Sequence, residues 1–304
     1  MGMKKGKWIV LPILIAILCQ SVPGEVWAFS GETKALVRPA AALPAVTDVQ
    51  TVQNDRAVID YSNTADGYVT AKYTGTVGKV KAQVAGPGAT YTYNLTPGAA
   101  ATFPLSEGNG TYKVTVLENV ADSKYAMVLS CSFQAVLGSE FAPFLRPNQY
   151  VDYGGAASTL AKAAELAGGV EGTMGKVEKI YDFVVGNLTY DTQKAANVKS
   201  GYLPVLDSVL SSKKGICFDY AALMTGMLRS QGIPCKLIVG YAGTAYHAWI
   251  SVWTEEEGWI DGAIYFDGKS WHRMDPTFAS ANGSSESILE YIGDGSNYSK
   301  KYQY

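Results

Sequence analysis

Histidine is nearly absent from this chain. Its 304 residues hold two, His247 and His272, so chemistry that needs an imidazole base must use one of them. Cysteine is almost as scarce, with four. Cys19 falls in a leader-like segment; Cys131, Cys217 and Cys235 remain, an odd number that implies no disulfide framework. A Cys131–Cys235 bridge and two separate buried thiols both fit, and the second is the expectation. Charged residues make up 17% of the chain, with a formal net charge of −2. No basic face for nucleic acid is expected from that balance. No His, Cys, Asp and Glu set shows metal-ligand spacing, and no Asp-rich calcium loop is present. No metal or cofactor is expected.

Long apolar runs are also missing beyond the N-terminus. Lys4, Lys5 and Lys7 precede an apolar core at residues 8–19, and Val26-Trp27-Ala28 offers small residues for cleavage. This is the layout of a secretory signal over residues 1–28, and it predicts a secreted, extracytoplasmic protein. The core is short for a membrane span of about 20 residues. The alternative is an uncleaved signal anchor; once cleaved, no stable membrane span is left. Leu18 before Cys19 argues against lipoprotein processing.

Residues 29–50, rich in alanine and proline, read as a flexible lead-in. Short alternating runs follow, such as Lys79-Val80-Lys81-Ala82-Gln83-Val84, separated by Gly, Pro and Asn clusters. They predict an all-β, Ig-like sandwich over residues 51–140. Its sequence marks no chemical site, so a spacer or docking role is expected. Pro143 and Pro147 suggest an extended linker over residues 141–150. From 151 to 304 helical periodicity comes first and strands after, the order of an α+β domain. Ser158 or Thr159 and then Thr173 are candidate helix caps. Asp267-Gly268 is a hairpin turn pair.

One stretch in this second half carries chemistry. Gly215-Ile216-Cys217 leads into an apolar helix closed by Gly232 and Pro234. Unpaired N–H groups and the helix dipole favour an anion there, which makes a thiol a better nucleophile. The competing reading is a small buried apolar residue. His247 lies in a strand-like run with Ala248 and Trp249, and Asp275 ends another run at Pro276. A cysteine nucleophile needs a base, and the base needs an orienting acceptor. Strand parity groups His247 with Trp249, Ser251 and Trp253, and Asp275 with Arg273 and Trp271. His272 falls on the opposite face from Asp275 and reads as a surface residue. Asp219 reads as a first-turn acid that suits the helix dipole.

Gly215-Ile216-Cys217, His247-Ala248-Trp249 and Asp275-Pro276-Thr277, in that order, resemble the transglutaminase-like superfamily of papain-like cysteine enzymes, over residues 150–280. The resemblance implies a papain-like domain with Cys217 as nucleophile, His247 as base and Asp275 as orienter. It implies amide acyl transfer through a thioester on a protein or peptide substrate, cell-wall peptides included, as a protease, amidase or transglutaminase. The alternative is a non-catalytic secreted or surface binding protein that uses the fold as scaffold. The stretch between His247 and Asp275 is longer than in compact members and holds an acidic turn, Glu255-Glu256-Glu257. That turn is either an acceptor-steering group at the mouth of the site or a solvated hairpin tip.

Overall fold

Alternation of apolar and polar residues builds the first half of the chain. The computed structural model describes residues 50–261, 264–266, 271–273 and 297–304. The expected signal, most of the lead-in and Asp275 lie outside the described residues. Strands β1 (Thr51–Gln53), β2 (Ala57–Asp60), β3 (Tyr68–Tyr73), β4 (Val80–Ala85), β5 (Thr90–Leu95), β6 (Ala100–Pro104), β7 (Gly110–Ala121) and β8 (Lys124–Ala135) form two antiparallel sheets. Their orders are β1-β2-β3-β6 and β5-β4-β7-β8, so the chain crosses between sheets in Greek-key fashion. The inner faces share one core. Ala71 and Phe103 from one sheet meet Val84, Tyr93 and Val114 from the other, with the Tyr93 and Phe103 rings 4.7 Å apart.

The stretch expected as an extended linker is instead packed. Pro143 sits in a short 3-10 turn, Ala142–Phe144. Phe141 lies 4.7 Å from the Trp253 ring, and Phe144 meets Trp259 edge-on at 5.5 Å. Aromatic side chains at this density bury area that an extended spacer would leave in water.

The second half is a helical layer on a sheet. Helices α1 (Ala157–Ala167) and α2 (Thr173–Asn187) are followed by the two-residue strand β9 (Thr189–Tyr190), then α3 (Thr192–Asn197) and α4 (Leu206–Ser212). Strand β10 (Lys214–Gly215) then pairs with β9 and leads into α5 (Cys217–Ser230). Strands β11 (Cys235–Ala242), β12 (Ala245–Thr254) and β13 (Gly258–Asp261) follow, with the β14 (Ile264–Phe266) and β15 (Trp271–Arg273) pair and finally β16 (Tyr298–Gln303). The main sheet has the order β13-β12-β11-β16. Helix α5 is its ridge: Tyr220, Ala221, Met224, Met227 and Leu228 are fully buried against Leu237, Ala248, Ile250 and Val252. Burial of this apolar layer stabilises the domain at about 25 cal/mol per Å² removed from water.

Helix α1 is capped from outside itself. Its N-cap position is Ala156, which has no side-chain acceptor. The Asp207 carboxylate from α4 takes over, accepting from the Thr159 N–H (2.8 Å), the Thr159 hydroxyl (2.8 Å) and the Ser158 N–H (3.2 Å). Burial pushes the Asp207 carboxyl up, but these bonds together outweigh it and hold it below the usual range. A depressed carboxyl stabilises the fold above its unfolded value, about 3.9, and the contribution fades as pH falls through the lower folded value. Asp207→Asn is therefore expected to destabilise the protein by about 1 kcal/mol at neutral pH. The gap to wild type should narrow below about pH 4 in denaturant melts. A gap that stays constant with pH would show that the charge is not what caps α1.

The sandwich docks on the second domain through tyrosines. The ring of Tyr304 lies 5.4 Å from Tyr91, 6.1 Å from Tyr93 and 4.1 Å from Tyr150. The Gln303 amide donates to the Ser106 carbonyl at 2.6 Å. Gln149 and the Asn94 main chain exchange two bonds of 3.0 and 2.7 Å. At the far end of α5, the buried Arg229 guanidinium donates to the main-chain oxygens of Cys235 (2.8 Å), Arg146 (2.7 Å) and Tyr304 (2.6 Å). One side chain thus ties α5, β11, the linker and the last strand.

Candidate active site

Cys217 is the first residue of α5, and Ile216, in extended conformation, precedes it as N-cap. Ile216 offers no side-chain acceptor, so the helix start is closed from within by Asp219, whose Oδ2 accepts the Ile216 N–H at 2.8 Å. That is one half of a capping box. The N–H of Cys217 finds no acceptor among the described residues, as expected at a first helical position. It is left as an unpaired main-chain donor at the helix start among the described residues. The Cys217 side chain is half-buried, and Cys131 and Cys235 are buried; all three are free thiols. Burial pushes the Cys235 thiol up to about 11, although Arg229 and the Thr225 hydroxyl pull the other way. Burial likewise raises Cys131. These two are packing residues.

Asp219 is fully buried, which sequence reasoning missed. Its Oδ2 also accepts from Lys194 Nζ at 2.7 Å, and its Oδ1 accepts from the Tyr202 hydroxyl at 2.5 Å. Lys194 Nζ donates to Tyr202 as well, at 2.6 Å. The loop after α3 is thereby pinned to the start of α5. Burial, reinforced by the bond to Asp219, pushes the Tyr202 phenol up, so it stays a donor. Gly215 makes room for this. A Cβ at that position would stand 2.5 Å from Asp219 Cβ, so the glycine before the cysteine is required by the buried acid behind it. The same loop walls a cleft of about 420 Å³, bounded by Lys194, Tyr202 and the turn between them. The Tyr202 and Phe218 rings meet edge-on at 6.3 Å.

Helix α5 is about 21 Å long at 1.5 Å per residue. Strand β11 runs back beside it for a similar distance at about 3.3 Å per residue. The turn into β12 therefore comes level with Cys217. His247 is the third residue of β12, so Cys217 and His247 sit at the same end of the same helix-on-sheet layer. The ladder pairs His247 with Gly240 and Trp249 with Ile238, and pairs Tyr246 with Tyr241. Tyr246 and Ala248 thus share the face that packs on α5. His247 shares the other face with Trp249, its buried ring 6.2 Å from Trp249 and 6.3 Å from Tyr298. Gly240 allows this crowding, since a Cβ there would come within 2.1 Å of the Ser299 carbonyl oxygen.

Tyr246, the residue before His247 on β12, also lies near the thiol. Its phenol is raised by burial first, then by Tyr302, Tyr150, Tyr241 and Cys217. It stands 59% exposed, stacked edge-on with Tyr241 at 5.5 Å. Tyrosine is so common in this chain that its place beside Cys217 carried no signal in the sequence. The acidic turn falls elsewhere. Glu255, Glu256 and Glu257 form the exposed tip between β12 and β13, about 23 Å along the strand from His247 at 3.3 Å per residue. They are a solvated hairpin tip and do not border the site.

The site thus has a half-buried thiol at a helix start, level with an imidazole-bearing strand. Residues 160–276 match the family described as the transglutaminase-like superfamily, and this stretch is a domain of that superfamily. The chain is 29% identical over 98 residues to a protein-glutamine gamma-glutamyltransferase of Pseudomonas aeruginosa, a match covering 28% of this chain and 13% of that protein. It is 27% identical over 104 residues to the uncharacterized protein YebA of Bacillus subtilis, covering 28% of this chain and 14% of that one. The chain therefore spans about one-seventh of the length of these relatives. A solved Cytophaga hutchinsonii structure, proposed to be a cysteine protease, aligns over 75% of this chain and 69% of its own, at 17% identity and a TM-score of 0.35.

Proposed function

We propose that this protein is a secreted cysteine-dependent acyl-transfer enzyme acting on amide bonds of proteins or peptides, with Cys217, His247 and Asp275 as its triad. The observation that carries the reading is Cys217 itself: a half-buried free thiol at the first position of α5, inside the matched domain. The same domain spans His247 and Asp275. The Cys217 thiolate attacks the amide carbon and a C–S bond forms. The tetrahedral oxyanion takes a hydrogen bond from the Cys217 N–H. As the C–N bond breaks, the His247 imidazolium gives its proton to the leaving amine. Water or a primary amine then attacks the thioester, His247 takes the incoming proton, and the C–S bond breaks to restore the thiolate.

Hydrolysis is the default, because no described feature steers a cationic acceptor to the site. The acidic turn, Glu255 to Glu257, lies at the other end of β12. Incubating the purified protein with a glutamine-containing peptide, with and without a small primary amine, tests the reading by mass spectrometry. The expected result is a gain of free acid, or loss of intact peptide, that vanishes in Cys217→Ala. Efficient amine incorporation exceeding hydrolysis would make the enzyme a crosslinking transglutaminase. No turnover with any amide substrate would favour the scaffold reading.

A further inference from the structure

We propose that Lys194 and Tyr202 are positioning residues that work on Cys217 through Asp219, holding the first turn of α5 in place and cancelling the carboxylate's charge two residues from the thiol. The inference rests on reading Cys217 as the nucleophile. Four contacts carry it. Asp219, fully buried, accepts from the Ile216 N–H at 2.8 Å, from Lys194 at 2.7 Å and from Tyr202 at 2.5 Å. Lys194 closes the triangle on Tyr202 at 2.6 Å. An isolated carboxylate would be costly in that place, and it would oppose a thiolate close by. Paired as it is, it contributes fixed geometry without net charge.

The segment that supplies the pairing is itself anchored. Asp191 caps α3 by accepting the Lys194 N–H at 2.9 Å, and the Asp191 N–H donates to the Gly215 carbonyl at 2.9 Å. Lys194 is thus held by the backbone that leads into Cys217. The Lys194 ammonium also lies 4.2 Å over the Tyr202 ring, which favours a cation there. Other titratable groups near the thiol come from different elements. Strand β12 supplies Tyr246 on the α5 face and His247 on the other. The linker supplies Tyr150, which reaches the site through Phe218 at 5.8 Å. Lys213 and Lys214 precede α5 but are exposed. Among the described residues Lys194 is the cation that contacts Asp219.

The test reads the rate at which iodoacetamide alkylates Cys217 as a function of pH, site by site through peptide mass spectrometry, in the full chain. Lys194→Met should displace the curve upward by about one pH unit, because a negative charge left beside a thiol disfavours the thiolate. That is about tenfold slower alkylation on the acid side of the midpoint. Tyr202→Phe should displace it less and in the same direction. The double variant Lys194→Met with Asp219→Asn should move back toward wild type, since the uncompensated charge is gone. With a glutamine peptide, Lys194→Met should lower kcat and leave KM nearly unchanged. Melting curves confirm that each variant folds. A Lys194→Met curve that coincides with wild type overturns the proposal. So does an equal displacement in the single and double variants, which would make Lys194 a packing residue. Turnover surviving in Cys217→Ala would instead sink the nucleophile assignment, and the alkylation curves would still decide the role of Lys194.

Discussion

Cys217→Ala is expected to abolish amide turnover, by about 10⁴-fold or more, with the fold intact. The side chain is half-buried and accepts no structural hydrogen bond among the described residues, so its loss should change stability by less than about 1 kcal/mol. His247→Ala should cost nearly as much, because nucleophile and base act as a unit and their losses do not add. The double variant should therefore be no worse than either single one. Asp275→Asn should cost less than either. Cys131→Ala is the control: its thiol lies in the sandwich core, and its loss should leave turnover unchanged. A His247→Ala enzyme that keeps wild-type kcat would mean that His247 is not the base. The base would then have to come from another group.

The second large effect is on stability. Arg229→Leu should lower the melting temperature by about 6–12 °C, corresponding to about 3 kcal/mol for a domain of this size. Arg229 is buried, and burial alone pushes its guanidinium down from its ordinary range. No Asp or Glu side chain pairs with it among the described residues. Its partners are three main-chain oxygens, from Cys235, Arg146 and Tyr304. Leucine leaves all three without a donor in a place water reaches poorly, and each orphaned acceptor costs about 1–3 kcal/mol, partly relieved by relaxation. Arg229→Lys keeps the charge but replaces a planar fork with a point donor, so it should fall between. The failure should be shared: loss of the Tyr304 contact loosens the tyrosine cluster that docks the sandwich. Guanidinium melts followed by fluorescence would show it. An unchanged midpoint would mean that the clasp contributes nothing net.

Much of the fold was legible because two periodicities are strong. Alternation in Lys79-Val80-Lys81-Ala82-Gln83-Val84 marks β4, and the spacing of Val177, Ile180, Tyr181 and Val184 marks α2, whose buried face is those residues. What escaped has local sequence that argues against it. Strand β6 reads Ala-Ala-Thr-Phe-Pro, without alternation, and is a strand because β3 pairs with it. Strand β16 reads Tyr-Ser-Lys-Lys-Tyr-Gln, polar along most of its length, and is held by β11 and by its two flanking tyrosine contacts. Ser158 and Thr159 are the local cap candidates for α1, but the cap comes from Asp207, almost fifty residues on, which no local rule reaches.

The candidate site divides in the same way. Cys217 at the start of α5 follows from glycine, cysteine and an apolar helical repeat, all local signals. Strand parity placed His247 with Trp249, and the ladder has them together. Asp219 reads in the sequence as a first-turn acid suited to the helix dipole; in the fold it is a buried carboxylate, because Lys194 and Tyr202 reach it from α3 and the loop after it, which sequence patterns do not define. Asp275 lies outside the described residues, and its part in the triad rests on the Asp275-Pro276-Thr277 motif that it opens.

The most direct test of the account is to trap the intermediate. Wild-type protein is mixed with a glutamine-containing peptide, quenched in acid within the first turnovers and digested for mass spectrometry. A peptide acyl adduct is expected on the fragment that carries Cys217, released by hydroxylamine as a thioester should be and absent from Cys217→Ala. Steady turnover with no adduct on that fragment, or with the acyl group on Cys131 or Cys235, would contradict it.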